Sequence, residues 1–206
     1  MKEKDIYSEL SSIRSLMERS AKFISLSGLS GVMAGIYALL GAYTGYRIVY
    51  YEASGLTYRE YYIDEYSIIF RLFMVAVTVL VFSIGTGILL TVRNARKKGE
   101  TVWNPVSRKL LLSLLIPLAA GGLFILILLY RGYYGIIAPA CLLFYGLALV
   151  SGSHYTYPDV KWLGICEIIL GLLAALMPGY GLIFWTIGFG LLHILYGSVM
   201  HFKYDR

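Results

Sequence analysis

The sequence predicts an all-α, polytopic membrane helix bundle of six transmembrane helices preceded by an N-terminal amphipathic helix. Three observations predict it. Of 206 residues, 58% are hydrophobic and only 15% charged, where a soluble domain carries about a quarter charged residues. The apolar residues gather into runs of roughly 17 to 27 residues, enough to cross a hydrocarbon core of about 30 Å. Lysine and arginine are spread unequally over the segments between those runs. The expected organisation is a cytoplasmic amphipathic helix over 1–22, a membrane domain over 23–201 and a short tail over 202–206, with no room for a separate soluble domain.

Residues 5–22 carry the first element. Ile6, Leu10, Ile13 and Met17 recur every three to four residues, while Glu9, Arg14, Glu18 and Arg19 point elsewhere, the pattern of a one-sided helix. Such a helix lies in the cytoplasmic headgroup layer or docks a soluble partner. Met1-Lys2-Glu3-Lys4-Asp5 opens on charge rather than on a short apolar run with a cleavage site, so no removable signal peptide is expected.

Span 1 (about 23–46) is unusual for its small residues. Ser27, Gly31 and Gly35 are spaced by four, as are Ala34, Ala38 and Ala42, and then Gly41 and Gly45. Helices in lipid gain little from meeting except through close packing, which small residues permit. A helix stripped of bulk on two faces is expected at the centre of the bundle. The aqueous segment 47–65 follows, rich in Tyr50, Tyr51, Tyr58, Tyr61 and Tyr62 with Glu52, Glu60, Asp64 and Glu65, a composition suited to interfacial anchoring.

Span 2 (about 66–92) contains Arg71, one turn inside the outer boundary, placed to snorkel outward or to pair with Asp64 or Glu65. The most basic loop comes next, with Arg93, Arg96, Lys97, Lys98, Arg108 and Lys109, and Asn104-Pro105 marking its turn. Span 3 (about 110–130) carries Pro117 and span 4 (about 134–152) carries Pro139, each expected to kink its helix. Arg131-Gly132-Tyr133 is short enough to make these two spans antiparallel neighbours. Span 5 (about 161–177) ends at Pro178-Gly179-Tyr180-Gly181, a tight turn into span 6 (about 182–201).

An even number of spans puts both termini on one side. With the N-terminus inside, the inner segments hold fourteen lysines and arginines and the outer ones three, so N-in, C-in at a bacterial inner (plasma) membrane is expected. The net charge of +6 is thereby accounted for by topology, and nucleic acid is not expected as a partner. Short echoes hint at three repeated hairpins. Tyr134-Gly135-Ile136-Ile137 matches Tyr180-Gly181-Leu182-Ile183, and Ser83-Ile84-Gly85-Thr86-Gly87 matches Thr186-Ile187-Gly188-Phe189-Gly190.

Ionisable groups inside a span are costly and therefore candidates for function. Glu167 lies six residues past Lys161 and His193 eight before His201, roughly 9 and 12 Å along their helices at 1.5 Å per residue. Ser30 sits at a similar depth, about 10 Å past Phe23. Glu167 and His193 are nearly equidistant from the Pro178–Gly181 turn, so they are expected to face each other. The pair would be a structural hydrogen bond or a proton-responsive or ion-coupling site. Cys141 and Cys166 both fall inside spans, so neither a disulfide framework nor a zinc site is indicated. No phosphate-cradling Gly-x-x-x-x-Gly-Lys or His-Glu-x-x-His occurs, no lysine lies mid-span to hold a retinal, and no cofactor or metal is expected. A single acidic residue in any span core argues against a pump with a multi-carboxylate relay.

Gly28-Leu29-Ser30-Gly31 also resembles the serine-bearing helix of the rhomboid intramembrane proteases. That resemblance implies Ser30 as nucleophile and His193 as its base, although the rhomboid Trp-Arg loop pair and the His/Asn helix that supports the oxyanion are missing. The segments Glu18–Gly28 and Gly188–Gly197 resemble those of small six-span bacterial membrane proteins of uncharacterised activity, which implies the topology and no chemistry. Three readings follow in order: a non-enzymatic accessory, regulatory or sensor protein with a partner at the cytoplasmic face; a small-solute or proton-coupled transporter using Glu167 and His193; and a serine hydrolase using Ser30. Oligomeric state, substrate and partner identity are left open.

Overall fold

The computed structural model describes residues 23, 26–51, 66–99 and 101–205. The amphipathic helix expected over 5–22, and Asp64 and Glu65 with most of the acidic, tyrosine-rich segment, lie outside the described residues. Within them the chain is helical, without strands. The long helices are α1 Gly28–Tyr46, α2 Tyr66–Lys97, α3 Pro105–Arg131, α4 Ile137–Gly152, α5 Asp159–Leu176 and α6 Gly181–Asp205. Five segments, 28–50, 68–97, 105–131, 134–155 and 181–205, are long and apolar enough to cross a membrane. The exception is α5, whose 18 residues include Asp159, Lys161 and Glu167.

Local chemistry explains the boundaries. Asn104-Pro105 does not make a turn ahead of the third span; it starts the helix. Asn104 accepts from the Ser107 amide at 2.7 Å while Ser107 Oγ accepts from the Asn104 amide at 2.9 Å, a reciprocal cap with proline at the first helical position, where its missing N–H costs nothing. The same logic corrects the expected kink at Pro139: it stands in the first turn of α4, after a 3-10 turn over Tyr134–Ile136. Pro117 is interior to α3, which continues through it. Gly132 (φ 77°) ends α3 and Gly179 (φ 90°) shapes the turn before α6, both in the left-handed region that glycine enters freely.

The bundle is two three-helix groups joined through α6. In one, α2 rests on α1 and α1 on α6; in the other, α3 rests on α4 and α4 packs along α5; α6 then meets α4 and α5. Most of α2 and α3 is exposed, with Phe70, Phe82, Leu89, Ile116, Leu123 and Ile127 on the surface, a coat suited to lipid. The expected centre was span 1; the element touching both groups is α6.

Glycine makes the α1–α6 contact. A Cβ on Gly197 would lie 2.5 Å from Val32 N and 2.8 Å from Gly28 O, and one on Gly35 2.7 Å from Gly190 O. A Cβ on Gly28 would meet the His201 backbone more closely still, and one on Gly31 would stand 3.1 Å from Gly197 Cα. On the other face of α1, a Cβ on Gly41 would stand 2.5 Å from Val79 Cγ2, while one on Gly45 would make only ordinary contacts with Leu72 and Leu182. Ser27 is not part of this helical stripe. It precedes the helix as its N-cap.

The hairpin echoes do not share surroundings. Gly85 and Gly87 on α2 have open space where a Cβ would go, whereas Gly188 and Gly190 on α6 are buried against neighbours.

Gly197→Ala is expected to destabilise the protein by about 1–3 kcal/mol, because the new methyl meets backbone that cannot yield. Gly85→Ala should instead be neutral or stabilising by about 0.5–1 kcal/mol, having no neighbour and a lower chain-entropy cost. Equilibrium unfolding in micelles compares the two.

Candidate functional site

Two of the candidate polar residues, Glu167 and His193, come together where the two helix groups join. Glu167, near the middle of α5, is wholly buried (0% exposed), and His193 of α6 is 6% exposed. Glu167 Oε1 lies 3.5 Å from His193 Nδ1, so the two face each other across the α5–α6 hairpin. The same Nδ1 is 3.0 Å from Gly188 O, and Nε2 is 2.8 Å from the Tyr145 hydroxyl of α4. A carbonyl can only accept, so Nδ1–H donates to Gly188 O; in the neutral ring Nε2 then accepts from the Tyr145 hydroxyl. Neither Glu167 oxygen has a hydrogen-bond partner among the described residues.

Two features of α6 admit this arrangement. A π-helical stretch over Thr186–Leu192 ends at His193, whose backbone N–H goes to Gly190 O while its side chain takes Gly188 O. Such wide turns recur at functional positions in helices. Gly188 also leaves the notch that Glu167 fills, since a Cβ there would stand 2.5 Å from Oε2 and 2.6 Å from Leu142 Cδ2. Around the imidazole, Phe189 packs on Tyr145 (5.0 Å between ring centres) and on Trp185 (5.2 Å). The cluster is thus a histidine fixed from both sides beside an unpartnered carboxyl group in an apolar wall.

Ser30 is elsewhere in its bonding. Its Oγ donates to Ser27 O at 2.6 Å, and both ring nitrogens of His193 are aimed at other groups. The nucleophile–base pair implied by the rhomboid resemblance is not formed. Arg71 is exposed on the first turns of α2, away from the Glu167 cluster. Among the described residues no group of three or more His, Cys, Asp or Glu side chains could hold a metal ion.

A second polar cluster ties the ends of four helices. Asp205, at the end of α6, accepts from Gly28 N (2.9 Å) and Ser27 Oγ (3.1 Å), from Asn94 Nδ2 of α2 (3.2 Å) and from His201 Nδ1 (3.2 Å). It thereby caps α1, whose own N-cap serine makes no capping bond, and places negative charge at a helix N-terminus. Beside it, Asp159 of α5 accepts from Tyr204 Oη at 2.6 Å and Lys203 Nζ at 3.0 Å. Partial burial works against ionisation of Asp159, but these hydrogen bonds and the lysine charge outweigh it and hold the carboxyl below the usual carboxylate range.

Tyr145, Gly188 and Asp205 were not singled out from the sequence. Tyr145 reads as one more aromatic in an apolar run, and Asp205 as part of a polar tail; their roles depend on which helices meet. Gly188 was visible only as part of a glycine-rich echo. No family model matches the sequence, and no curated protein or solved structure is detectably similar to it.

Removing Asp205 leaves several donors without their acceptor. Asp205→Ala is expected to cost about 1–2 kcal/mol, the range for a lost helix cap, and to speed hydrogen exchange at the Gly28–Gly31 amides while leaving those of α3 unchanged. Exchange mass spectrometry reads this directly.

Proposed function

We propose that the chain is a six-span inner-membrane protein, both termini cytoplasmic, acting without enzymatic turnover as a regulatory or accessory partner with a sensing element in its core. α5 is the sixth span: Asp159 and Lys161 stand at its end, and its 18 residues extend about 27 Å at 1.5 Å per residue, close to the hydrocarbon thickness of about 30 Å. The fourteen-to-three distribution of lysine and arginine supports the orientation.

The observation that carries the non-enzymatic reading is how the buried polar groups are used. The histidine is held by a tyrosine and a carbonyl, the serine by its own helix start, and the carboxyl is closed in by Gly188 and Leu142. No reacting centre is assembled from them. The unpartnered Glu167 carboxyl favours a proton-coupled small-solute transporter as the second reading, with Glu167 and His193 as its coupling groups.

Two measurements test the proposal. Single cysteines placed at 58 and at 98 should be labelled by an impermeant maleimide from outside and only after permeabilisation, respectively; the reverse pattern overturns the orientation. A fluorophosphonate serine probe should leave Ser30 unlabelled in membranes, and labelling lost in Ser30→Ala would establish the hydrolase instead. Proteoliposomes that acidify or alkalinise on addition of a solute, an effect lost in Glu167→Gln, would place the protein among transporters.

A further inference from the structure

We propose that Glu167, His193 and Tyr145 form a binding site for a single proton, whose occupancy sets how α6 docks against α4 and α5. The inference rests on the sensor reading above and names its ligand.

The ligand class follows from space and bonding. Both Glu167 oxygens are buried without a donor, and a bare carboxylate in that position is among the costliest groups to bury. Something must neutralise it. A hydrated cation has no room, because both oxygens are sealed from solvent and the notch at Gly188 is too narrow for even a methyl, and among the described residues no group of three ligands is present to hold a bare metal ion. Nor does the histidine supply the carboxyl group a hydrogen bond, Nδ1 being 3.0 Å from Gly188 O, to which its proton goes, and 3.5 Å from Oε1. A proton on the carboxyl group removes the charge and needs almost no space. The structure therefore corresponds to the loaded site, with Glu167 as the neutral acid and His193 as the neutral ring.

The titratable groups facing Glu167 are His193 from α6 and Tyr145 from α4. Cys141 lies one turn before Tyr145, and Cys166 neighbours Glu167 on α5, on the side of Tyr196 of α6. Lys161 and Asp159 are at the far end of α5, about 9 Å or more along the helix. When Glu167 releases its proton to water, the carboxylate recruits the Nδ1–H it already faces, drawing the ring away from Gly188 O. Tyr145 keeps its hydroxyl on Nε2. Because His193 stacks with Phe189, and Phe189 packs at a tilt against Trp185, the shift in the ring reaches an indole on α6.

That indole supplies the test. The chain has three tryptophans, so W103F/W162F leaves Trp185 as the only emitter in the full-length protein in lipid nanodiscs. Its emission should titrate with pH in one sigmoidal step, and E167Q should abolish the step while Y145F moves its midpoint. Infrared difference spectra over the same titration should show the carbonyl stretch of a protonated carboxylic acid disappearing, and E167Q should lack it. Flat emission, or a step that persists in E167Q, overturns the proposal. If E167Q does not fold, isotope-labelled glutamate in the otherwise unchanged chain must shift that infrared band; a band that does not move, or is absent, overturns it equally. The serine-probe and topology results are independent of these outcomes, so failure here removes the proton site and leaves the non-enzymatic reading in place.

Discussion

The bundle depends on α6 being thin where it touches its neighbours. Gly190 and Gly197 let α1 approach to backbone distance, and Gly188 admits a carboxyl group from α5. In lipid there is no general hydrophobic force to press helices together, so association rests on van der Waals contact and on polar groups that find partners. The α1–α6 seam uses the first of these, the α5–α6 junction the second. Larger residues at Gly190 or Gly197 would push α1 off α6, and one at Gly188 would part the two three-helix groups.

That division explains why the polar cluster sits where it does. Along α4 and α5, Gly146 and Gly164 face each other's carbonyl oxygens at 2.6 and 2.7 Å from their missing Cβ positions, so that pair is locked by shape. The α6 junction lacks such a continuous seam. It is held instead by Tyr145 reaching His193 and by Glu167 filling the notch at Gly188. Polar contacts of this kind contribute modestly, about 1 kcal/mol each, but they are directional and change with protonation. An interface of shape alone would have neither property.

Much of the fold was legible because lipid imposes a strict code: long apolar runs, flanking basic residues and tight turns such as Pro178–Gly181. The Glu167–His193 juxtaposition could be anticipated from equal distance to that turn, since a helical hairpin conserves depth. Lateral placement could not. Small residues on span 1 suggested a central helix, yet nothing in Gly31 or Gly35 says which helix fills the groove, and the answer, α6, is the last in the chain. Pro139 and Asn104-Pro105 were misjudged for a different reason. A proline's effect depends on whether it stands in the first turn or the interior, and apolar runs mark the hydrocarbon edge rather than the helix start. Tyr145 and Asp205 acquire their roles from contacts between helices distant in sequence, which no local pattern records.

The two polar clusters are also mechanically connected. His193 and Asp205 are on the same helix, twelve residues apart, about 18 Å at 1.5 Å per residue. Between them α6 runs as one regular segment, His193–Met200, followed by a π turn. A change in how α6 seats on α4 and α5 is therefore carried along a stiff rod to its end. There, Asp205 caps α1 and bonds Asn94 of α2, while Lys203 and Tyr204 hold Asp159 of α5. The end of α6 grips both helix groups at once, so it cannot follow a rotation of the helix without loosening one of them. A proton bound in the apolar core would in this way be read out at the polar end of the bundle, where the ends of α1, α2, α5 and α6 meet.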